Sequence, residues 1–221
     1  MRTMRKEDAL KRLISLTNMI SVVHSRVSEE WIQFAEKNGI ELFNQKSTKV
    51  ADIEEKNLMP IIKQYTSFLN NRIEVTQFDS TDKEFTINNR IKISNSIEEK
   101  YDDYLKREEE GKVSINKCFN DLFGIRVIIE CDELTHTDIC NEMKKIGLMC
   151  EKKDEVHKDY NNRYRATHIY FKRDNNTFKW ELQIWRSADE RENQISHTHH
   201  RYEYKKWESQ TKEEITNESE R

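Results

Sequence analysis

The sequence predicts an α+β chain: a helical first third, then a mixed β-sheet with helices inserted between its strands. Apolar residues recur at spacings of three and four up to about residue 80, and at a spacing of two from Phe85 onward. Only four glycines and one proline punctuate 221 residues, which favours long helices and short connections. The composition is hydrophilic, 35% apolar against 36% charged, yet its 10% aromatic content is too high for a disordered chain.

The elements follow in order. Ile20, Val23, Val27, Trp31 and Phe34 form one stripe of a polar helix that Asn38 and Gly39 stop. Leu58, Ile62, Tyr65 and Leu69 mark a second helix, in which Pro60 is tolerable only near the first turn. Phe85, Ile87, Ile91 and Ile93 alternate with polar residues, so a strand carries Arg90 and Lys92 on its other face. Ser96 with Glu99 is a capping-box pattern that opens a helix through Tyr101 and Leu105, ended near Gly111.

The most β-branched stretch of the chain comes next. Asp121 precedes the turn at Gly124, and Ile125, Val127 and Ile129 then alternate with Arg126, Ile128 and Glu130. A helix after Asp132 carries Ile139, Met143 and Ile146 to Gly147, and Leu148 to Lys152 reads as a short strand. Tyr164 to Phe171 and Phe178 to Trp185 are two further strands joined by the turn-like run Arg173 to Asn176. A last helix begins near Ser187, with Glu190 completing a capping box, and runs past Tyr204 and Trp207. The tail from Ser209 reads as frayed or disordered.

A net charge of -3 argues against a protein coated in positive potential. No run reaches membrane-spanning length, and the basic start is not followed by an apolar signal core, so a cytoplasmic location and no membrane partner are expected. Cys118, Cys131, Cys140 and Cys150 include no Cys-x-x-Cys pair, so buried free thiols in a reducing compartment are expected rather than a zinc site. His197, His199 and His200 offer no i,i+4 pair, and no metal site is read there.

Chemistry is read from which side chains share a face. Positions 164, 166, 168 and 170 point one way, as do Glu181, Gln183 and Trp185, and Arg126 lies opposite the apolar set of its strand. One sheet face therefore displays arginine, tyrosine, histidine, glutamate and glutamine. Polar residues on a sheet face are commonly just solvent-facing. Here two carboxylates, Asp121 and Glu181, stand in a basic setting of Arg90, Lys92, Lys100 and Arg126. Two carboxylates suit a magnesium ion that keeps water and phosphate ligands, and the basic residues would neutralise a polyphosphate. With no Gly-rich phosphate loop in the sequence, side chains would have to hold the phosphates. Phosphoryl or nucleotidyl transfer is the chemistry these parts fit.

The blocks Arg90-x-Lys92-x-x-x-Ser96-Ile97-x-x-Lys100, Asp121-x-x-Gly124-Ile125-Arg126, Tyr164-Arg165-Ala166-x-His168 and Glu181-Leu182-Gln183-Ile184, followed by Asn193 and a histidine-rich helix, resemble the RelA/SpoT-type alarmone synthetase domain over roughly residues 85 to 207. The resemblance implies a nucleotidyltransferase-like mixed β-sheet with flanking helices. It divides the chain into a helical segment (1–80) packed on the domain, a synthetase domain (81–208) and a charged tail (209–221). It implies a pyrophosphokinase that moves the β,γ-pyrophosphate of ATP to the 3′-hydroxyl of GDP or GTP, making (p)ppGpp-type alarmones.

By the same resemblance Asp121 and Glu181 are catalytic and bind Mg2+, and Arg90, Lys92, Ser96, Lys100 and Arg126 hold ATP. Lys158, Tyr164, His168, Gln183, Asn193 and His200 surround the acceptor, with His197 the alternative to His200. The family's usual glycine before the stacking tyrosine is Arg163 here. Two further readings stand beside the first: a toxin of the same family that pyrophosphorylates the 3′ end of tRNA or makes an adenosine alarmone, and a catalytically inactive nucleotide-binding regulator. The toxin reading brings an antitoxin partner with it. No His-Asp dyad of the family's hydrolase half and no regulatory C-terminal region is found, so the chain resembles a small stand-alone synthetase. Such members often form homo-oligomers through flanking helices, so the resemblance implies a homo-oligomer with the terminal helices as its candidate interface.

Overall fold

The computed structural model describes residues 4–73, 85–106, 109–157 and 162–198. Its elements are α1 (Lys6–Lys37), α2 (Glu55–Arg72), β1 (Phe85–Ile91), α3 (Ser94–Lys106), α4 (Ile115–Cys118), β2 (Phe123–Ile129), α5 (His136–Lys145), β3 (Met149–His157), β4 (Asn162–Phe171) and β5 (Trp180–Arg186). A short 3-10 turn then leads into a last helix, α6, over 190–198. Lys158, His200, the far end of the last helix and the charged tail lie outside the described residues.

The strands form one mixed sheet in the order β1-β2-β5-β4-β3, with β2 and β5 parallel and the other pairs antiparallel. The α+β architecture expected from the sequence is the one observed. β5 is buried on both sides along almost its whole length because it sits in the middle of the sheet, covered by helices on one face and by α6 over part of the other.

Period two sorts the strand residues cleanly. Ile87, Val127 and Ile184 align across three strands on one face, as do Ile125, Leu182 and Ile169, and then Phe123, Trp180 and Phe171. Helices α1, α2 and α5 pack on this face, and their buried side chains join it in one continuous core. The α1 stripe starts earlier than the sequence suggests, running Ala9, Leu13, Leu16, Ile20, Val23, Val27, Trp31 and Ala35. Phe34 is on the rim, 37% exposed. Gly39, at φ +65, takes the left-handed turn that ends the helix.

Polar contacts lock the helices to the sheet at its centre. The buried Trp180 indole N–H donates to the Tyr65 hydroxyl at 2.9 Å, and Tyr65 packs edge-on against Trp31. His24, at 3.1 Å from the Phe178 carbonyl, donates through Nε2, since a carbonyl can only accept.

Four expectations change. Helix α3 starts at Ser94, not at the Ser96 capping box, because the Ile97 N–H already bonds the Ile93 carbonyl. Pro60 sits in the second turn of α2, which begins at Glu55. Strand β3 runs to His157, well past Lys152; as an edge strand whose side chains are mostly exposed, it carries charge on both faces and hides its alternation. Cys140 and Cys150 are not free thiols but form a disulfide, and only Cys118 and Cys131 remain free and buried. The turn at Gly147 folds β3 back along α5 and brings the two Cα atoms within 5.5 Å, a proximity that the ten-residue spacing does not announce.

Tyr65→Phe is expected to lower the unfolding free energy by about 1–3 kcal/mol, because it leaves the buried Trp180 N–H without an acceptor; urea denaturation measures it. Thiol titration of the denatured, unreduced chain should count two free cysteines, and four after reduction.

Candidate active site

The second face of the sheet is polar, and the strand register arranges it in rows. Arg90, Gly124, Glu181 and Tyr170 form the first row, and Asn88, Arg126, Gln183 and His168 the second. Thr86, Ile128 and Trp185 form the third, and Tyr164 lies beyond it on β4. Among the residues singled out in the sequence, Arg90, Arg126, Tyr164, His168, Glu181 and Gln183 thus share one surface.

Asp121 stands at the entrance to β2. The Lys92 N–H bonds the Leu122 carbonyl, and this fixes Lys92 beside it. The Asp121 carboxylate accepts from Lys92 Nζ at 2.7 Å and from Lys100 Nζ, one helix away, at 2.9 Å. Lys100 also donates to Asn120 Oδ1 at 3.0 Å. Burial alone would raise the Asp121 carboxyl, but the two ammonium groups overcome it and hold the group far below the usual carboxylate range. The Lys92 pKa is lowered as well, by burial and by the neighbouring Lys100 against the pull of Asp121. Ser96 lies four residues before Lys100 on α3, one turn away on the same face.

Glu181 is 6% exposed and uses both carboxylate oxygens. Oε1 accepts from His168 Nδ1 and Oε2 from Gln183 Nε2, each at 2.8 Å. Burial raises its pKa, the hydrogen bond from His168 lowers it, and Asp121 raises it again; the net shift is downward. Both carboxylates are therefore ionised at neutral pH, and they are close enough to feel one another's charge. No cluster of three or more His, Cys, Asp or Glu built to hold a metal occurs among the described residues. Two ionised hard-oxygen donors fit a magnesium ion, which keeps the rest of its octahedron for water and phosphate.

From Glu181 the polar groups continue in both directions. His168, donating through Nδ1, accepts the Tyr164 hydroxyl at Nε2 (2.8 Å). Gln183 turns its amide oxygen to Arg126, which donates through Nε at 3.3 Å and an NH2 group at 3.1 Å. The same Arg126 nitrogen reaches His197 Nε2 at 3.0 Å. A guanidinium can only donate, so that Nε2 carries a lone pair.

Two residues expected at the acceptor, Tyr164 and Asn193, and the arginine that replaces the family's glycine are each engaged within the protein. Tyr164 is not an open platform: it is 7% exposed, with Trp185, His168 and His197 packed edge-on around its ring. Asn193 is fully buried and spends its side chain on backbone, accepting from the Arg165 N–H at 2.8 Å and donating to the Arg165 carbonyl at 2.7 Å. It stands in for a strand partner where β4 runs on beyond its pairing with β5. Arg163 alternates to the far face from Tyr164 and forks onto Asp154 of β3, 2.6 Å through NH2. The chain's arginine at that position is accordingly an edge-strand ion pair.

Two residues of the site are not among those that the sequence singles out. Trp185, fully buried, lies under the Arg126 guanidinium at 3.8 Å and stacks with His197. Tyr170 shares the row of Glu181, and burial, then the charges of Glu181 and Glu151, push its phenol well above the ordinary value. The two-residue period that finds Glu181 and His168 also points to both. Helix α6 is set over this end of the face by Asp189, which accepts from Arg186 Nε at 2.7 Å and lies 3.3 Å from His136 Nε2.

Asp121→Asn is expected to cost about 3 kcal/mol in urea denaturation, because two part-buried lysines lose their counter-charge, and adding Lys92→Met should recover part of that loss. Since the folded-state pKa of Asp121 is depressed, its contribution is complete above the ordinary carboxylate value of about 4 and is lost as pH falls below it.

Comparison with known proteins bears on this arrangement. A family model described as a region found in RelA / SpoT proteins matches residues 89–209. Among solved structures, the chain is similar to the small alarmone synthetase 1 of Bacillus subtilis bound to its product pppGpp, at 15% identity over 79% of this chain and 83% of that one, with a TM-score of 0.33. It is also similar to the small alarmone synthetase 2 of Bacillus subtilis (17% identity, 70% and 82% covered, TM-score 0.29) and to a GTP pyrophosphokinase family protein of Streptococcus pneumoniae (20% identity, 76% and 76% covered, TM-score 0.27). No curated protein matches. The matched region takes in more than half of the chain and both carboxylates with the arginines and lysines around them, and this protein belongs to the RelA/SpoT family.

Proposed function

We propose that the protein transfers the β,γ-pyrophosphate of ATP to the 3′-hydroxyl of GDP or GTP, making (p)ppGpp-type alarmones. The observation that carries this reading is the pair of ionised carboxylates, Asp121 and Glu181, set among Arg90, Lys92, Lys100 and Arg126 within the family's region.

The row spacing suits ATP on the β1-β2 side. Successive residues on one strand face are about 7 Å apart, and a ring in van der Waals contact on both sides needs about 7 Å. Arg90 and Arg126 lie one row apart, with only Gly124 beneath Arg90, so a purine ring fits between the two guanidiniums. Burial first, and repulsion from Arg90 after it, depress Arg126, and an electron-rich ring between the two arginines would relieve the repulsion. The triphosphate then runs toward Lys92, Ser96 and Lys100. Both ammonium groups are held on Asp121 in the free protein and would exchange that carboxylate for phosphate oxygens without being stripped of water a second time.

Asp121 and Glu181 would hold Mg2+, which supplies neutralisation of the phosphate charge when bound. The acceptor hydroxyl oxygen attacks the β-phosphorus and its proton passes to water, while the bond from that phosphorus to the α,β-bridging oxygen breaks and AMP leaves with that oxygen. Glu181, with both oxygens accepting N–H bonds and its pKa lowered, is a weak proton acceptor; its place in this reading is to hold charge and orient His168. Tyr164, His168 and Gln183 line the acceptor side.

Incubation with γ-labelled ATP, magnesium and GDP, GTP, ATP or deacylated tRNA tests the reading. Label in a guanosine nucleotide with stoichiometric AMP is expected. Label in tRNA or an adenosine nucleotide alone would assign the toxin chemistry instead, and bound ATP with no transfer would leave a regulator. Glu181→Ala should lower transfer by about 100-fold or more, on the scale of other lost charge-stabilising groups.

A further inference from the structure

We propose that Trp185, together with His197, is a positioning residue for the donor nucleotide: the two hold the Arg126 guanidinium flat so that one of its faces is presented to the base of ATP. The inference rests on the donor site described above and adds residues that the site did not include.

The register fixes the order. Along the sheet face Arg90 belongs to the first row, Arg126 to the second and Trp185 to the third, so Arg126 is flanked by Arg90 on one side and Trp185 on the other. The indole takes the side away from Arg90, 3.8 Å below the guanidinium carbon. In the plane of the guanidinium, Gln183 Oε1 and His197 Nε2 accept its N–H groups at 3.0–3.3 Å. His197 in turn stacks on Trp185 with 29° between the rings. One face covered and the plane pinned leave the opposite face as the place where a planar ring can stack.

A flexible arginine loses rotamer freedom on binding, and one already held in its bound plane loses less. Trp185 is suited to this holding role because packing confines it: it is fully buried and packs with Tyr164, Ala166 and Ile128 in a small cluster separate from the main core. A phenylalanine at the same place would keep a ring under the guanidinium; a leucine would fill space without one.

The test is equilibrium binding of Mg-ATP to the full chain by calorimetry, with transfer kinetics alongside. Trp185→Leu is expected to weaken ATP binding by about tenfold, because it removes the aromatic face under the cation. Trp185→Phe keeps an aromatic face there and should weaken binding by no more than about threefold. The effect should appear in KM for ATP rather than in kcat. In an Arg126→Ala background, Trp185→Leu should change ATP affinity no further, since its effect passes through Arg126. Unchanged ATP affinity in Trp185→Leu, or a loss that persists in the Arg126→Ala background, would overturn the inference and leave Trp185 as packing. If Trp185→Leu does not fold, His197→Ala decides: about a threefold loss of affinity supports the proposal and unchanged affinity overturns it. A wild-type chain that binds no ATP would overturn the donor-site reading and this inference with it, whereas failure of the variants alone would overturn only the inference.

Discussion

The parallel pairing of β2 with β5 is the contact on which the rest of this site depends. It sets Gly124 beside Glu181, Arg126 beside Gln183 and Ile128 beside Trp185. A slip of one residue would turn every side chain of one strand to the other face. The register is pinned from the opposite face, where Ile125, Val127, Leu182 and Ile184 are buried under α1, α2 and α5. Exposing four such side chains would cost about 1.5–3 kcal/mol each, far more than any single polar contact on the site face is worth. The apolar packing therefore dictates which polar groups meet, and the first helices of the chain serve the site by covering the back of its sheet.

On that scaffold the buried carboxylates of the polar face are held by pairing and not by openness to water. Asp121 sits between two ammonium groups, Glu181 between His168 and Gln183, and Asp189 among Arg186, Arg165 and His136. Each buried anion is matched because an unmatched one would neutralise itself instead. The consequence for chemistry is that ligands must exchange partners with the protein. A phosphate that took the lysines away from Asp121 would free that carboxylate for a cation accompanying it. The pairing of the free protein is in this sense a resting arrangement of the same charges that a nucleotide and its metal would rearrange.

Much of this is legible from a period of two. Arg90, Arg126, Tyr164, His168, Glu181 and Gln183 fall on one face because strand geometry leaves them no other. The same rule puts Trp185 and Tyr170 on that face too, though their residue types, which read as core, give them no role in the sequence. What the sequence does not disclose are contacts between residues that neither period nor propensity connects. Asn193 bonds the β4 backbone 28 positions away, Arg163 reaches Asp154 on an edge strand, and Cys140 meets Cys150 only after Gly147 reverses the chain. Strand β3 reads too short in the sequence because an edge strand obeys no burial rule on either face. Each is a tertiary fact, decided by register or by a turn.

The chain of hydrogen bonds on the site face also has a direction, and two residues determine it. Arg126 can only donate and ionised Glu181 can only accept. Gln183, between them, must therefore turn its oxygen to Arg126 and its amide N–H to Glu181, and His168 must donate through Nδ1 and receive the Tyr164 hydroxyl at Nε2. Two series of donors thus converge on Glu181, one from Tyr164 through His168 and one from Arg126 through Gln183. Were Glu181 replaced by an apolar residue, the two inner donors would lose their common acceptor, and the directions of both series would no longer be fixed. The carboxylate consequently does more than bring a negative charge to the face. It decides the tautomer of His168 and the amide orientation of Gln183, and through Gln183 it helps to keep Arg126 in the plane where Trp185 supports it.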